Sequence, residues 1–155
     1  MAQEIERKFL LDNDAWRGQV DTAQRMLQGY LLRGGDTAIR VRIAGDQAWL
    51  NIKKSLDGVH RLEYEYEIPL ADAQEMLDQL ALRPVIDKTR HLVHIGPHTW
   101  EIDEFHGDNA GLVVAEIELE HADEAFERPD WLGEEVSTDR RYFNSSLSER
   151  PYNRW

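Results

Sequence analysis

Charged and apolar side chains alternate along successive segments of this chain, and this alternation constrains its fold more than any other feature. Between Thr37 and Ala44, isoleucine and valine side chains alternate with those of Arg40 and Arg42. Successive side chains of a β-strand point to opposite faces of a sheet, so a period of two residues predicts a strand with one apolar and one charged face. The chain therefore favours a sheet whose two faces differ sharply.

The same alternation, interrupted by turn signals, predicts about eight strands. Gly45-Asp46 and Asp57-Gly58 are typical of hairpin turns, so most strands are expected to pair with their neighbours in the chain. The predicted strands cover residues 3–10, 22–33, 37–44, 48–54, 59–68, 84–95, 98–106 and 112–121. Helices are predicted at residues 71–82, near 12–16 and around 122–127. This pattern is typical of a mainly β protein with flanking helices, of the α+β class.

Two architectures fit these strands. In an open sheet or sandwich, the apolar rows form the core and the charged rows face water. In a closed antiparallel barrel, the charged rows lie inside. A solvated face mixes signs freely, whereas here the signs are sorted by strand. The basic rows contain Arg40, Arg42, Lys53, Lys88 and Arg90, and the acidic rows contain Asp103, Glu116, Glu118 and Glu120.

Length and composition limit the possible partners. We expect a single domain over residues 1–155, because the length suits one core and no internal repeat occurs. A formal net charge of -12 disfavours DNA and RNA as partners. No apolar segment is long enough to span a membrane, and Met1-Ala2-Gln3-Glu4 leads directly into a predicted strand without a signal segment. Since cysteine is absent, we expect a soluble cytoplasmic protein.

An enclosed interior with sorted charges requires compensating ions. Two like charges about 4 Å apart repel by roughly 4 kcal/mol at an effective dielectric constant near 20, so clustered carboxylates favour a divalent cation. An all-oxygen ligand set suits Mg²⁺ or Mn²⁺, with Ca²⁺ as an alternative, and His94 and His98 are separated by Gly96-Pro97 and do not form a zinc motif. Arginine binds phosphate oxygens two at a time. A metal and a polyphosphate are therefore the expected ligands.

The order of these residues along the chain carries a family resemblance. The chain resembles the CYTH superfamily, the triphosphate tunnel metalloenzymes, and within it the short bacterial inorganic triphosphatases. The similarity extends in order from Glu4 to about Leu147. It rests on Glu4-x-Glu6-x-Lys8, Arg40-x-Arg42, Lys53, Arg61-x-Glu63-x-Glu65, Lys88-x-Arg90, Asp103 and Glu116-x-Glu118. The resemblance implies a closed eight-stranded antiparallel β-barrel, a tunnel with a charged interior that binds triphosphate together with a divalent metal.

The resemblance also implies a role for each group. The metal-binding acids are Glu4, Glu6, Asp103, Glu116 and Glu118. The phosphate-binding cations are Lys8, Arg40, Arg42, Lys53, Arg61, Lys88 and Arg90. Glu63 and Glu65 are expected to orient these cations or to reach a metal, and Glu67, Glu101 and Glu120 are assigned to solvated strand ends. Tyr30 and Lys88 resemble a pair that assists proton removal, with a packing role as the alternative for Tyr30. Residues 139–144 resemble the segment that closes one end of the tunnel.

The implied activity is metal-dependent hydrolysis of inorganic triphosphate to diphosphate and phosphate. The same site in relatives also supports a thiamine triphosphatase or a class IV-type adenylyl cyclase, and a polyphosphate-binding module without turnover is a further alternative. The expected cofactor is Mg²⁺ or Mn²⁺, with Ca²⁺ as a possible inhibitor and no organic cofactor. The expected partner is a small triphosphate or polyphosphate. We expect no nucleic acid or membrane as a partner, and the protein is expected to be a monomer or a homodimer.

Overall fold

A computed structural model of the protein describes residues 3–57 and 59–155, so the predicted turn residue Gly58 lies outside the described residues. The strands are β1 (Gln3–Leu11), β2 (Thr22–Leu32), β3 (Thr37–Ala44), β4 (Gln47–Asp57), β5 (His60–Ile68), β6 (Ile86–Ile95), β7 (His98–Phe105), β8 (Val113–Leu119) and β9 (Leu132–Glu135). The α-helices are α1 (Leu70–Gln79) and α2 (Asn144–Leu147). Short 3₁₀ turns cover Ala15–Gln19, Gly107–Asn109, Arg140–Tyr142 and Tyr152–Arg154.

Eight of the strands form a closed antiparallel barrel. Their order is β5-β4-β3-β2-β6-β7-β8-β1, and β1 returns to pair with β5. The closing contact is short, with Gln3 opposite Leu62 and Ile5 opposite His60. Strand β9 pairs further along β1, where Phe9 lies opposite Glu135. Because β8 occupies one edge of β1, β5 and β9 share its other edge. The predicted eight-stranded antiparallel barrel is confirmed.

Most of the apolar side chains lie on the outside of the barrel wall. One outer cluster joins Phe9, Trp100 and Ile117 to Trp16 and Trp131 from the connecting segments. A second outer cluster lies beneath α1 and includes Val41, Ala48, Ala73 and Leu77. Gly29 permits this contact, because a Cβ atom there would lie 2.5 Å from the Leu77 Cδ2 atom. The charged rows consequently face the interior.

A third apolar cluster closes one end of the barrel from within. Ile86, Phe105 and Val114 belong to the inner rows of their strands, and they pack against Tyr142 and Leu147 from the C-terminal segment. Leu147 is fully buried in this cluster. The barrel formed by the described residues is thus closed at one end by this apolar cluster, which we call the apolar floor, and the charged part of the interior lies next to it.

One prediction about local structure was wrong, and one strand was missed. Residues 122–127 form a turn followed by irregular chain instead of a helix, and the Phe126 ring packs edge-on against Phe9 and Trp100. Six residues are too short to sustain a helix without strong packing of one face. Strand β9 was not predicted, because its four residues are too few to show an alternation.

No helix within residues 3–57 and 59–155 has both the length and the apolar character that crossing a bilayer requires.

Candidate functional site

The inner rows of the barrel line a cavity of about 640 Å³, a volume within the usual range of small-molecule sites, roughly 300–1,000 Å³. Every strand of the closed barrel contributes inward side chains to it. Of the residues predicted for the site, those that line the cavity are Glu4, Glu6, Lys8, Tyr30, Arg40, Arg42, Lys53, Arg61, Glu63, Glu65, Lys88, Arg90, Glu116 and Glu118. Asp103 is completely buried behind Lys88 and Arg90.

Several cations of the interior face carboxylates at distances longer than direct hydrogen bonds. The pairs are Lys8 with Glu116 at 3.4 Å, Arg61 with Glu6 at 3.6 Å, and Lys53 with Glu4 at 3.6 Å and with Glu63 at 3.8 Å. At such distances charges attract without fixing each other's geometry, since close charge-assisted hydrogen bonds are about 2.7–2.9 Å long. A bound ligand can therefore replace the carboxylate as the partner of each cation, or the cation as the partner of each carboxylate.

Asp103 is held far more tightly. Its Oδ2 atom accepts hydrogen bonds from Lys88 Nζ at 2.7 Å and from Arg90 Nη2 at 2.9 Å, and its Oδ1 atom accepts one from Arg90 Nε at 2.8 Å. Burial by itself would raise the pKa of Asp103, but Arg90 and Lys88 lower it to about 2. Both carboxylate oxygens are occupied, so Asp103 orients two cations of the basic wall.

Arg40 and Arg42 differ from the other interior cations because the described chain places no carboxylate within 4 Å of either. Arg42 Nε donates a hydrogen bond to Gln28 Oε1 at 2.7 Å, and the buried Nε atom of Arg40 has no hydrogen-bond partner among the described residues. Burial, Arg40 and Arg90 lower the pKa of Arg42 to about 9. The two arginines of β3 thus form no ion pair with a carboxylate of the described residues.

The crowding of positive charge at Arg42 predicts that its removal costs little stability. We expect Arg42→Met to change the free energy of unfolding of the ligand-free protein by less than about 1 kcal/mol, because the relief of charge repulsion offsets the loss of the donor to the buried Gln28 Oε1 atom. Arg90→Met is expected to lower it by about 3 kcal/mol, because Asp103 loses its bidentate partner. Urea denaturation of both variants checks this difference, and equal losses would contradict this electrostatic description.

The acidic side of the cavity carries an excess of negative charge. Burial raises the pKa of Glu4 above its ordinary value, and the neighbouring carboxyl groups of Glu63 and Glu6 raise it further. Burial, Glu6 and Glu63 likewise raise the pKa of Glu118. Among the residues that the structure describes, no three acidic or imidazole groups are already arranged as metal ligands. Rotation of crowded carboxylates would be needed to bring them onto one ion.

The C-terminal segment reaches the charged interior from the apolar floor. Lys8 Nζ donates a hydrogen bond to the Tyr142 carbonyl oxygen at 3.0 Å, and the Phe143 ring centroid lies 5.1 Å from Arg61 Cζ. Asn144 Oδ1 accepts hydrogen bonds from Gln28 Nε2 at 3.0 Å and from Lys88 Nζ at 3.1 Å. The segment around residues 139–144 therefore bounds the cavity at the position predicted for it.

Four further residues belong to the site but were not predicted as site residues. Glu101 was assigned to a solvated strand end, and Asn144 was named only as part of the closing segment 139–144. Glu101 lines the cavity and accepts a hydrogen bond from Arg90 Nη1 at 2.9 Å; its place two residues before Asp103 was the signal. Asn51 donates to Glu65 at 2.6 Å and to Glu63 at 3.2 Å. Gln28 and Asn51 lie on inner rows, but neutral residues do not stand out within a charged pattern. Nothing in the alternation indicated Asn144.

The pairing register places Tyr30 beside Arg40 across β2 and β3. Lys88 lies opposite Met26, four residues before Tyr30 in the same strand. The side chains of Tyr30 and Lys88 line the cavity, and both are almost completely buried. The register thus brings Tyr30 to the unneutralised arginines of β3.

Comparison with known proteins places this barrel in a family. The sequence profile of the CYTH domain matches residues 2–152. An inorganic triphosphatase of Acetivibrio thermocellus is 46% identical over 154 residues, which cover 98% of this chain and 97% of that protein. An inorganic triphosphatase of Nitrosomonas europaea is 36% identical over 149 residues, which cover 94% of this chain and 96% of that protein.

A solved structure of an inorganic triphosphatase superposes on the barrel with a TM-score of 0.68 and 31% sequence identity, covering 96% of this chain and 95% of that one. The inward cations and acids all fall inside the matched residues. The chain belongs to the CYTH domain family.

Proposed function

We propose that this protein is a divalent-metal-dependent inorganic triphosphatase, which hydrolyses triphosphate to diphosphate and phosphate. The observation that carries the proposal is the pair of interior arginines, Arg40 and Arg42, which have no carboxylate partner within 4 Å in the described chain. A polyanion supplies the charge that these residues lack. The inorganic triphosphatases among the relatives support this choice of polyanion.

The cations of the interior are suited to hold three phosphates in line. Arginine presents two parallel N–H groups to phosphate oxygens, and lysine acts as a compact positive charge. The proposed phosphate-binding set is Lys8, Arg40, Arg42, Lys53, Arg61, Lys88 and Arg90. Fixed cations stabilise the charge that gathers on the transferred phosphoryl group, and an enclosed cavity strengthens their effect.

The acids of the opposite wall fit a hard divalent cation, because they offer only oxygen donors and because burial, together with their crowding, raises the pKa of Glu4 and Glu118. We assign Glu4, Glu6, Glu116 and Glu118 to this ion, with Mg²⁺ or Mn²⁺ preferred and Ca²⁺ as the alternative. Such an ion, when bound, neutralises phosphate oxygens and acidifies a water molecule. Asp103 was also predicted as a ligand, but its hydrogen bonds to Lys88 and Arg90 support an orienting role.

Lys88 is the proposed proton-exchanging group of the chain. Burial lowers its pKa, and Arg90 and Arg42 lower it further against the opposing effect of Asp103, to about 7. A group with a pKa near the working pH transfers protons efficiently. We assign to Tyr30, which lies next to Arg40, a supporting role in orienting the phosphate chain.

The closed floor of the barrel supports the inorganic substrate over an organic one. Tyr142 and Leu147 fill the end beyond Lys88, so a nucleoside or thiamine group attached to the triphosphate would have to extend through the opposite mouth.

Phosphate release from inorganic triphosphate, ATP and thiamine triphosphate tests the proposal directly. We expect kcat/KM for inorganic triphosphate to exceed that for either organic substrate by about tenfold or more, because the cations are arranged around phosphates alone. Activity should require Mg²⁺ or Mn²⁺ and disappear in EDTA. Formation of cyclic AMP from ATP would instead indicate a cyclase, and triphosphate binding without phosphate release would indicate a binding module.

The acidic wall is tested by two glutamates that follow one another on the same face. Both residues are exposed, but Glu118 lines the cavity and Glu120 does not, so Glu118→Gln removes an acid of the site and Glu120→Gln removes one outside it. We expect Mg²⁺ to raise the melting temperature of the wild-type protein and of Glu120→Gln, and to have a smaller effect on Glu118→Gln. An equal shift in all three proteins would place the metal elsewhere.

A further inference from the structure

Two neutral amide side chains connect two cations of the basic wall. Arg42 Nε donates to Gln28 Oε1 at 2.7 Å, Gln28 Nε2 donates to Asn144 Oδ1 at 3.0 Å, and Lys88 Nζ donates to the same oxygen at 3.1 Å. The four residues come from β3, β2, α2 and β6. Gln28 and Lys88 are completely buried, and Asn144 is 9% exposed. The chain of hydrogen bonds is thus internal to the protein.

The neutrality of these two acceptors distinguishes them from the acceptors of the other interior cations. Arg61, Lys53 and Lys8 face carboxylates, which cancel part of their charge. An amide carbonyl accepts the same hydrogen bond without adding a negative charge. Gln28 therefore fixes the guanidinium of Arg42 without neutralising it. Lys88 already donates to Asp103 at 2.7 Å, and Asn144 gives its ammonium a second acceptor that adds no further negative charge.

Asn144 also belongs to a firmly anchored segment. Leu147, one turn further along α2, is fully buried in the apolar floor. Arg33 Nη1 donates to the Ser148 carbonyl oxygen at 2.7 Å and also contacts the Ser148 hydroxyl group. Lys8 Nζ donates to the carbonyl oxygen of Tyr142. The chain is thus anchored both before and after Asn144, so the amide of Asn144 can determine the position of the Lys88 ammonium group.

We propose that Gln28 and Asn144 are positioning residues, which hold Arg42 and Lys88 at a fixed separation for the triphosphate chain without adding negative charge beside them. This inference rests on the proposed function for its choice of ligand. The two residues act through the cations and touch no reacting atom. Their contribution is geometric order without neutralisation, which a carboxylate at either position would not provide.

Two substitutions of Asn144 distinguish the effect of an added negative charge from the effect of a lost hydrogen-bond acceptor. Asn144→Asp keeps an oxygen for both hydrogen bonds and adds a negative charge beside Lys88, so we expect the dissociation constant for inorganic triphosphate to rise about tenfold or more. The melting temperature of the ligand-free variant should not fall. Asn144→Ala removes the acceptor, so we expect kcat to fall about tenfold with a smaller change in KM. Asn153→Asp, an exposed change in the same segment, is the matched control.

The same comparison on β2 uses Gln28→Glu and Gln24→Glu, since Gln24 lies on the same row but is exposed. Calorimetry with inorganic triphosphate in EDTA measures binding without turnover, and phosphate release with Mg²⁺ measures kcat and KM. We expect weaker binding for Gln28→Glu and wild-type binding for Gln24→Glu. If Asn144→Asp and Gln28→Glu bind as tightly as their controls, or if Asn144→Ala changes only the melting temperature, the positioning role is wrong.

The assays separate this inference from the proposed function. A wild-type protein that binds triphosphate but releases no phosphate overturns the triphosphatase activity, while the binding constants of the variants still decide the positioning role. A wild-type protein that hydrolyses triphosphate with variants equal to their controls overturns the positioning role alone. Absence of triphosphate binding in EDTA contradicts a clamp formed by the cations of the chain and therefore also overturns the positioning role.

Discussion

Replacing Arg40 with methionine is expected to lower kcat/KM for inorganic triphosphate about a thousandfold. A fixed arginine that stabilises the charge of a transferred phosphoryl group contributes roughly 10³–10⁵ in rate in comparable enzymes. Arg40 is 6% exposed, and its Nε atom has no hydrogen-bond partner within residues 3–57 and 59–155. Since no ion pair with the described chain occupies it, its positive charge is available to the substrate. Phosphate release at several substrate concentrations measures the change.

The stability of the Arg40→Met variant separates catalysis from folding. Removal of a buried charge that lacks a counterion should leave the free energy of unfolding unchanged or raise it. Arg25→Met is the control, because Arg25 is an exposed arginine on the neighbouring strand that pairs with Asp87 outside the cavity; it should retain wild-type kcat/KM. A folded Arg40→Met protein with more than a tenth of wild-type activity would show that the anion lies elsewhere.

Trp100→Ala is expected to lower the free energy of unfolding by about 3–5 kcal/mol, the usual cost of deleting a buried aromatic side chain. The Trp100 ring is fully buried on the outer face of the barrel. It packs edge-on against Phe9, Phe126 and Trp131 at centroid distances of 5.6–5.7 Å. Its Nε1 atom has no hydrogen-bond partner in the part of the chain that the structure describes, so the loss comes from packing alone. Chemical denaturation measures it.

Tyr64→Ala is the matched control for the outer core. Tyr64 is also an aromatic residue of the outer row, but it is 48% exposed on β5, and exposed apolar side chains contribute little to stability. We expect a loss below about 1 kcal/mol. Similar losses for both variants would contradict the conclusion that the core lies beneath residues 122–132 outside the barrel wall.

The alternation of residue types was sufficient to predict the barrel and the faces of its strands. Arg40 and Arg42 were placed on a row opposite Ile39 and Val41, and the structure directs the former inward and the latter outward. Sorting of charge by strand then favoured an enclosed interior over a solvated face. These predictions succeeded because the side-chain period of a strand depends only on local backbone geometry.

Features that depend on contacts between distant parts of the chain could not be predicted from the sequence. The turn at residues 122–123 and the short strand β9 owe their form to Phe126 and Trp131 packing on the aromatic cluster. The contacts of Asp103 depend on the register of β6 and β7, which aligns it with Arg90. Glu101 was assigned to solvent because its distance from Arg90 could not be inferred from β7 alone. Asn144 meets Gln28 across 116 positions of the chain, a contact that no local pattern reveals.

The central claim is that a triphosphate lies inside the barrel between the arginines of β3 and the glutamates of β1 and β8. A crystal structure of the wild-type protein soaked with inorganic triphosphate in EDTA tests this claim most directly. We predict phosphate oxygens within hydrogen-bonding distance of the Arg40 and Arg42 guanidinium groups, with the Asp103 contacts to Lys88 and Arg90 retained. Triphosphate bound only on the outer surface, with the interior cations still facing their carboxylates, would contradict the claim.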